Sequence, residues 1–282
     1  MSDLVVLALG EGGLGGPGSG GSIGARVVAV AVQVGPGSGD ADAVRDRALA
    51  AGAVAADVVD ARDEFADHHC LPALKANALH PRLLPALSTP LVAEHLVAAA
   101  RRHGARTVAH GFTGDARVGF EAGVAALAPD LTCLAVDAVP SRPAAALWGP
   151  PRDGDADELV VTFDAGRPVA IDGETVTMWQ AIELTTQRAR AQGVGDTAMP
   201  GASVLAAAHR DLEAGTVERD LARFKAGVDR RWSGLVHAGR WFSPLRRALD
   251  DFVETANRPV SGEVRLTLRA GAVSLDHQPL AA

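Results

Sequence analysis

Short apolar runs alternate with stretches of helical spacing through the first half of the chain. Residues 4–9, 26–34, 55–60, 107–110 and 132–136 read as strands. Between them, 41–51, 64–79, 90–103 and 118–127 read as helices, with Gly52 and Gly104 as stops. The strand runs lack an outward polar alternation, so they predict a parallel sheet covered on both faces. Residues 140–154 then hold four prolines and two glycines, and a run of acids follows to Glu158, which predicts a linker or loop.

The second half has a different pattern. Residues 159–163 and 169–171 read as strands around the turn Ala165-Gly166-Arg167-Pro168. Residues 176–190, 203–212, 217–224 and 226–238 read as helices. Phe242-Ser243-Pro244 is a helix start, because Ser can cap free amides and Pro lacks only an N–H the first turn does not use. Leu245, Leu249, Phe252 and Val253 then share one helix face. Residues 264–268 and 272–275 predict a closing hairpin around Gly271. This half therefore predicts an α+β arrangement with antiparallel strands.

Composition narrows the function classes. Hydrophobic residues make up 48% and charged residues 22% of 282, enough apolar content for a full core. A net charge of -7 argues against a general nucleic-acid or anionic-membrane binder. Of 27 basic residues only Lys75 and Lys225 are lysines, a bias read as genomic rather than as a phosphate-binding signature. Cys70 and Cys133 form no CxxC motif, and the apolar run at 4–9 follows Asp3 and is too short for a leader or a membrane span. The expectation is a cytoplasmic protein.

Several segments resemble the argininosuccinate synthase family. Residues 71–79, LPALKANAL, resemble its "PALKANALY" segment, and His110-Gly-Phe-Thr-Gly114 its "HGCTG" loop. Residues 120–131 resemble "FELGILALAPDL", and Leu147-Trp148-Gly149 resembles "NLWG". Residues 160–173 are similar to "VTITFEKGVPVALDG", 235–249 to "LVYEGLWFSPLREAL" and 262–266 to "GTVRL". Pro200-Gly201-Ala202 and Ala208-His209-Arg210 resemble "APGA" and "AHR". The matches run in order along nearly the whole chain.

The resemblance implies a Rossmann-like α/β nucleotide-binding domain of the PP-loop type over residues 1–140. It further implies a linker or shortened loop over 141–158 and a smaller α+β synthetase domain over 159–278. The family activity is ATP-dependent C–N ligation of citrulline and aspartate through a citrulline-adenylate, with Mg2+ accompanying ATP. No protein-bound metal is expected. Small amino-acid-like substrates are implied, with assembly as a homo-oligomer or with a complete synthase, and neither nucleic acid nor membrane as partner. Set against the family pattern, one segment before Leu147, one before Pro200 and the C-terminal arm are expected to be missing.

Carried over position by position, the resemblance puts nucleotide contacts at Ala8, Gly12, Gly13 and Gly111, and substrate contacts at Thr113, Asp115 and Arg117. The family phosphate loop "SGGLDTS" falls on 11–17, where Glu11 replaces the first Ser, Gly15 the Asp, Gly16 the Thr and Pro17 the last Ser. A carboxylate at Glu11 repels phosphate, and Pro17 removes an amide donor. The family Tyr after "KANAL" is His80, and the arginine of "GTSLARP" is Thr89. A second citrulline-contacting arginine is Gly119, with Arg117 two positions away. A threonine or a glycine cannot replace the bidentate fork of an arginine.

Other chemistry is less well supported. Adjacent residues on a helix point about 100° apart, so His68-His69-Cys70 does not converge on one ion. Ser243 is accounted for as a helix cap, and His209-Arg210-Asp211 as structure. Gly13, Gly15 and Gly18 have the GxGxxG spacing, but no helix is predicted to follow. Three functions remain open: a divergent ATP-dependent ligase, a non-catalytic relative that binds a true synthase or another protein, and ordinary argininosuccinate synthesis.

Overall fold

The apolar runs of the first half become parallel strands. In chain order the computed structural model gives β1 Leu4–Leu9, β2 Arg26–Gln33, α1 Ala41–Ala50, β3 Ala55–Asp60, α2 Arg62–Phe65, a π-helical turn Ala66–Cys70 and α3 Leu71–Lys75. Then come α4 Leu84–His103, β4 Thr107–His110, α5 Gly114–Leu127 and β5 Thr132–Ala135. The second half gives β6 Asp157–Asp164, β7 Arg167–Ile171, β8 Glu174–Thr175, α6 Met178–Ala191, α7 Pro200–Thr216 and α8 Arg219–His237. It closes with α9 Pro244–Ala256, β9 Gly262–Arg269 and β10 Ala272–Leu275. The structure describes residues 4–9, 25–36, 39–136, 156–195 and 199–275.

The chain divides into two units, neither continuous in sequence. One takes Met1–Arg62, Pro85–Ala144 and Leu235–Ser243, and the other Asp63–Leu84, Ala145–Gly234 and Pro244–Ala282. Residues 63–84 fall in the second of these compact units.

In the first unit the strands lie in the order β3-β2-β1-β4-β5, each pair parallel. One face buries Val5, Leu7, Val27 and Ala29 against Val44 and Ala48 of α1. Val6, Val28, Val30 and Val108 are just as deeply buried. Both faces are covered, which is why the strands show no polar alternation. Helix α4 begins at Leu84 rather than at Pro90, the start the pattern suggested. Pro90 cannot donate to the Ala86 carbonyl, and the Thr89 hydroxyl donates there instead, at 3.1 Å. Helix α5 also starts four residues earlier than its apolar spacing indicates, at Gly114.

The second unit holds an antiparallel sheet in the order β10-β9-β6-β7-β8. Leu159, Val161 and Phe163 of β6 and Val264, Leu266 and Leu268 of β9 point inward at alternate positions. The turn after β6 is two residues long, and Pro168 lies inside β7 at an irregularity in the ladder. Ala165-Gly166 and Ala270-Gly271 both carry positive φ at each position, 46° and 77°, and 47° and 85°. These are type I′ hairpin turns, which favour asparagine over alanine at the first position. Ala270→Asn is therefore expected to stabilise the second unit by about 0.5–1 kcal/mol. Urea unfolding followed by circular dichroism checks this; an unchanged or lower midpoint contradicts it.

Both lysines sit in one buried network of this unit. Lys225, on α8, is fully buried. Its Nζ donates to the Lys75 carbonyl at 2.7 Å and lies 2.8 Å from Glu213 Oε2 and 2.9 Å from Asp229 Oδ2. Lys75 Nζ donates to both carboxylate oxygens of Glu254 at 2.6 and 2.7 Å. Asn77 Nδ2 donates to Glu213 and Asp229 from a left-handed backbone, φ 51°. That left-handed residue ends the helix the pattern extended to Leu79. Asn257 Nδ2 donates to the Lys75 carbonyl, and its Oδ1 pairs with His209 Nε2 at 2.8 Å.

Candidate functional site

The chain leaves β1 toward β2 and β3 on one side, and returns to β4 and β5 on the other. Strands β1 and β4 therefore flank a topological switch point, where open parallel sheets place ligands at the carboxyl ends of the strands. The β1–β4 ladder runs from Val5↔Thr107 to Leu7↔Ala109. Ala8 lies just past its end on β1, and Gly111 follows β4 directly. Both positions carry small residues. Gly12 and Gly13, with the rest of 10–24, lie outside the described residues.

The next residues of the site form the loop 111–113 and the first turn of α5. Thr113 is the N-cap of α5, extended at φ -129°, with no side-chain capping bond. Its carbonyl accepts from the Arg117 amide at 3.3 Å. Asp115 is exposed and lies 3.5 Å from His237 Nδ1. Arg117 turns along its own helix and donates from Nε to Glu121 Oε1 at 2.8 Å. The structure thus gathers Thr113, Asp115 and Arg117 onto one helix start.

His110 is the residue that motif reading passed over. It is fully buried at the end of β4. Its Nδ1 accepts the Phe112 N–H at 3.2 Å, and its ring packs against Phe112 and Phe120 with centroids 5.7 and 4.7 Å away. Nε2 lies 3.4 Å from Glu121 Oε1, near enough for attraction but not aligned as a hydrogen bond. Burial lowers the imidazole pKa from its usual 6.5, and Glu121 partly offsets this. A histidine ending a central strand just before a glycine was the signal available in the sequence.

Helices α4 and α5 meet through small residues. A Cβ placed on Gly119 would fall 2.6 Å from Thr89 Oγ1, and Thr89 is fully buried. A Cβ on Gly123 would fall 3.1 Å from that of Ala93.

Residues 20–145 match the Arginosuccinate synthase N-terminal HUP domain, and residues 149–278 match the Arginosuccinate synthase C-terminal domain. The chain belongs to the argininosuccinate synthase family. The parallel sheet is its HUP domain of the PP-loop type, a domain family that binds ATP, and the antiparallel sheet lies in its C-terminal domain. The HUP match begins at residue 20, beyond β1 and the stretch 11–17.

Against the argininosuccinate synthase pattern, the contact between Thr89 and Gly119 gains meaning. Both stand where the family motifs carry arginine, and here the two positions touch each other. The His68-His69-Cys70 stretch of this synthase relative is π-helical, with His69 stacked on Phe65 and the Cys70 thiol pKa raised by burial. Among the described residues no three His, Cys, Asp or Glu side chains converge as metal ligands, and no helix is long and apolar enough to cross a membrane.

Proposed function

We propose that this chain is a divergent argininosuccinate synthase relative that keeps a nucleotide crevice and has given up ligation of citrulline to aspartate. The Thr89–Gly119 contact carries the reading. A lost arginine on an open surface could be replaced by a neighbour. A lost pair whose places are filled by helix packing cannot, because a side chain at Gly119 must displace buried Thr89. Arg117, on the first turns of α5, is engaged with Glu121.

The nucleotide would lie against Ala8 and Gly111 at the β1/β4 switch point, and the family resemblance adds Gly12 and Gly13 as its other contacts. Thr113 and Asp115 remain as polar groups for a small second ligand, which differs from citrulline. Glu11 and Pro17 weaken the phosphate end, so ATP with Mg2+ binds less tightly than in a complete synthase. We place the protein in the cytoplasm, as a homo-oligomer or beside a complete synthase.

Expression in an arginine auxotroph lacking its own synthase, with assay of the purified protein for citrulline- and aspartate-dependent pyrophosphate release, tests this. Expected are no growth without arginine, no pyrophosphate release, and a saturable rise in melting temperature with ATP. Growth and argininosuccinate formation would overturn the loss of ligation, and an ATP-independent melting temperature would overturn the retained crevice.

A further inference from the structure

We propose that His110 is a positioning residue which, as a neutral hydrogen-bond acceptor, fixes the loop 111–113 at the mouth of the β1/β4 crevice. Its bearing on ligand binding rests on the nucleotide reading above; its bearing on the loop does not.

The geometry defines one protonation state. Nδ1 accepts from the Phe112 amide, so it carries no hydrogen. The hydrogen of the neutral ring is then on Nε2, facing Glu121 Oε1. The Phe112 ring is held as well, stacked on His110 at 5.7 Å and packed on Phe120 at 5.1 Å. One imidazole thus ties both the amide and the side chain of the residue after Gly111. Adding a proton to Nδ1 would set a donor against a donor and release the Phe112 amide.

The surroundings oppose that proton. The ring is buried, which disfavours its cation. Among the described residues the charged groups acting on it are Glu121 and Arg117, both on α5 and paired with each other. Asp115, on the first turn of α5, faces His237. On β5 the Cys133 thiol, its pKa pushed up to about 11 chiefly by burial, stays uncharged. The loop is therefore ordered through the neutral range and loosens only under acid.

Two variants separate positioning from mere packing. In His110→Asn the amide oxygen falls near the place of Nδ1 and keeps the acceptor, while His110→Ala removes it. Hydrogen exchange at pH 7 is expected to find the Phe112 amide protected in the wild type and in His110→Asn, and exchanging at least tenfold faster in His110→Ala. Equal protection in all three overturns the proposal. Should His110→Ala not fold, long-range proton–nitrogen spectra of the wild-type imidazole decide. A hydrogen on Nε2 at pH 7 supports it, and a hydrogen on Nδ1 overturns it.

ATP titrations of the same proteins form a separate arm. Binding that weakens at least tenfold in His110→Ala and recovers in His110→Asn extends the role to ligand binding. A protected Phe112 amide with no ATP binding in any protein supports the positioning role and overturns the nucleotide reading alone.

Discussion

Lys225→Ala is expected to destabilise the second unit by about 3–5 kcal/mol, the cost typical of breaking a buried ion pair from one side. The side chain is fully buried, and its three ammonium hydrogens meet three groups: the Lys75 carbonyl, Glu213 and Asp229. Burial already pushes the Asp229 carboxyl pKa up, with Lys225 and Asn77 acting in the opposite direction. Without the ammonium, two carboxylates share a site in which, among the described residues, Asn77 Nδ2 remains as their donor. Lys225→Arg is expected to fail as well, because a planar guanidinium does not fit a compact three-acceptor pocket. That is a physical reason why a chain with 25 arginines keeps lysine here. Urea unfolding gives the test. A loss under 1 kcal/mol for Lys225→Ala would sink the argument, whereas neutralising Lys225, Glu213 and Asp229 together is expected to recover much of the stability.

The same lysine explains where pattern reading breaks down. Periodicity divided α8 at position 225, since a lysine on an apolar face reads as an interruption; the structure has one helix, Arg219–His237. Only partners distant in sequence reveal that the lysine belongs inside. Likewise the helix that seemed to run to Leu79 stops at Lys75, because Asn77 turns left-handed to reach Glu213 and Asp229, 136 and 152 residues away. Strand β1 was legible to the residue because burial on both faces leaves a local apolar signature, and the bounds of β3, a half-buried edge strand, were legible from its short apolar run. The ordered motifs made the family legible, and substitution at the arginine positions was visible in sequence. That Thr89 and Gly119 touch was not, since it depends on how two helices cross. The role of His110 was hidden in the same way, because its partner is a backbone amide that no motif spells out.

Acid is expected to weaken the second unit through His209. Its Nε2 faces Asn257 Oδ1, and Asn257 must present oxygen there because its Nδ2 donates to the Lys75 and Val253 carbonyls. The hydrogen of the ring is thereby fixed on Nε2. Nδ1 is buried without a hydrogen-bond partner, and the Phe163 ring packs edge-on at 5.9 Å. A second proton would enter a site with no acceptor, with Lys225, Lys75 and Arg210 adding like charge. The pKa is accordingly lowered from 6.5 to about 4, chiefly by burial. The sign follows from proton counting. Between these values the unfolded chain binds the proton and the folded chain does not, so stability rises with pH. The contribution of His209 is constant above about pH 6.5 and falls as pH drops toward 4, by about 3 kcal/mol in all. His209→Gln keeps a donor toward Asn257 and removes the titration. Urea midpoints from pH 7 to pH 4.5 should therefore decline more steeply for the wild type than for the variant, and parallel declines would show that His209 is not the group responsible.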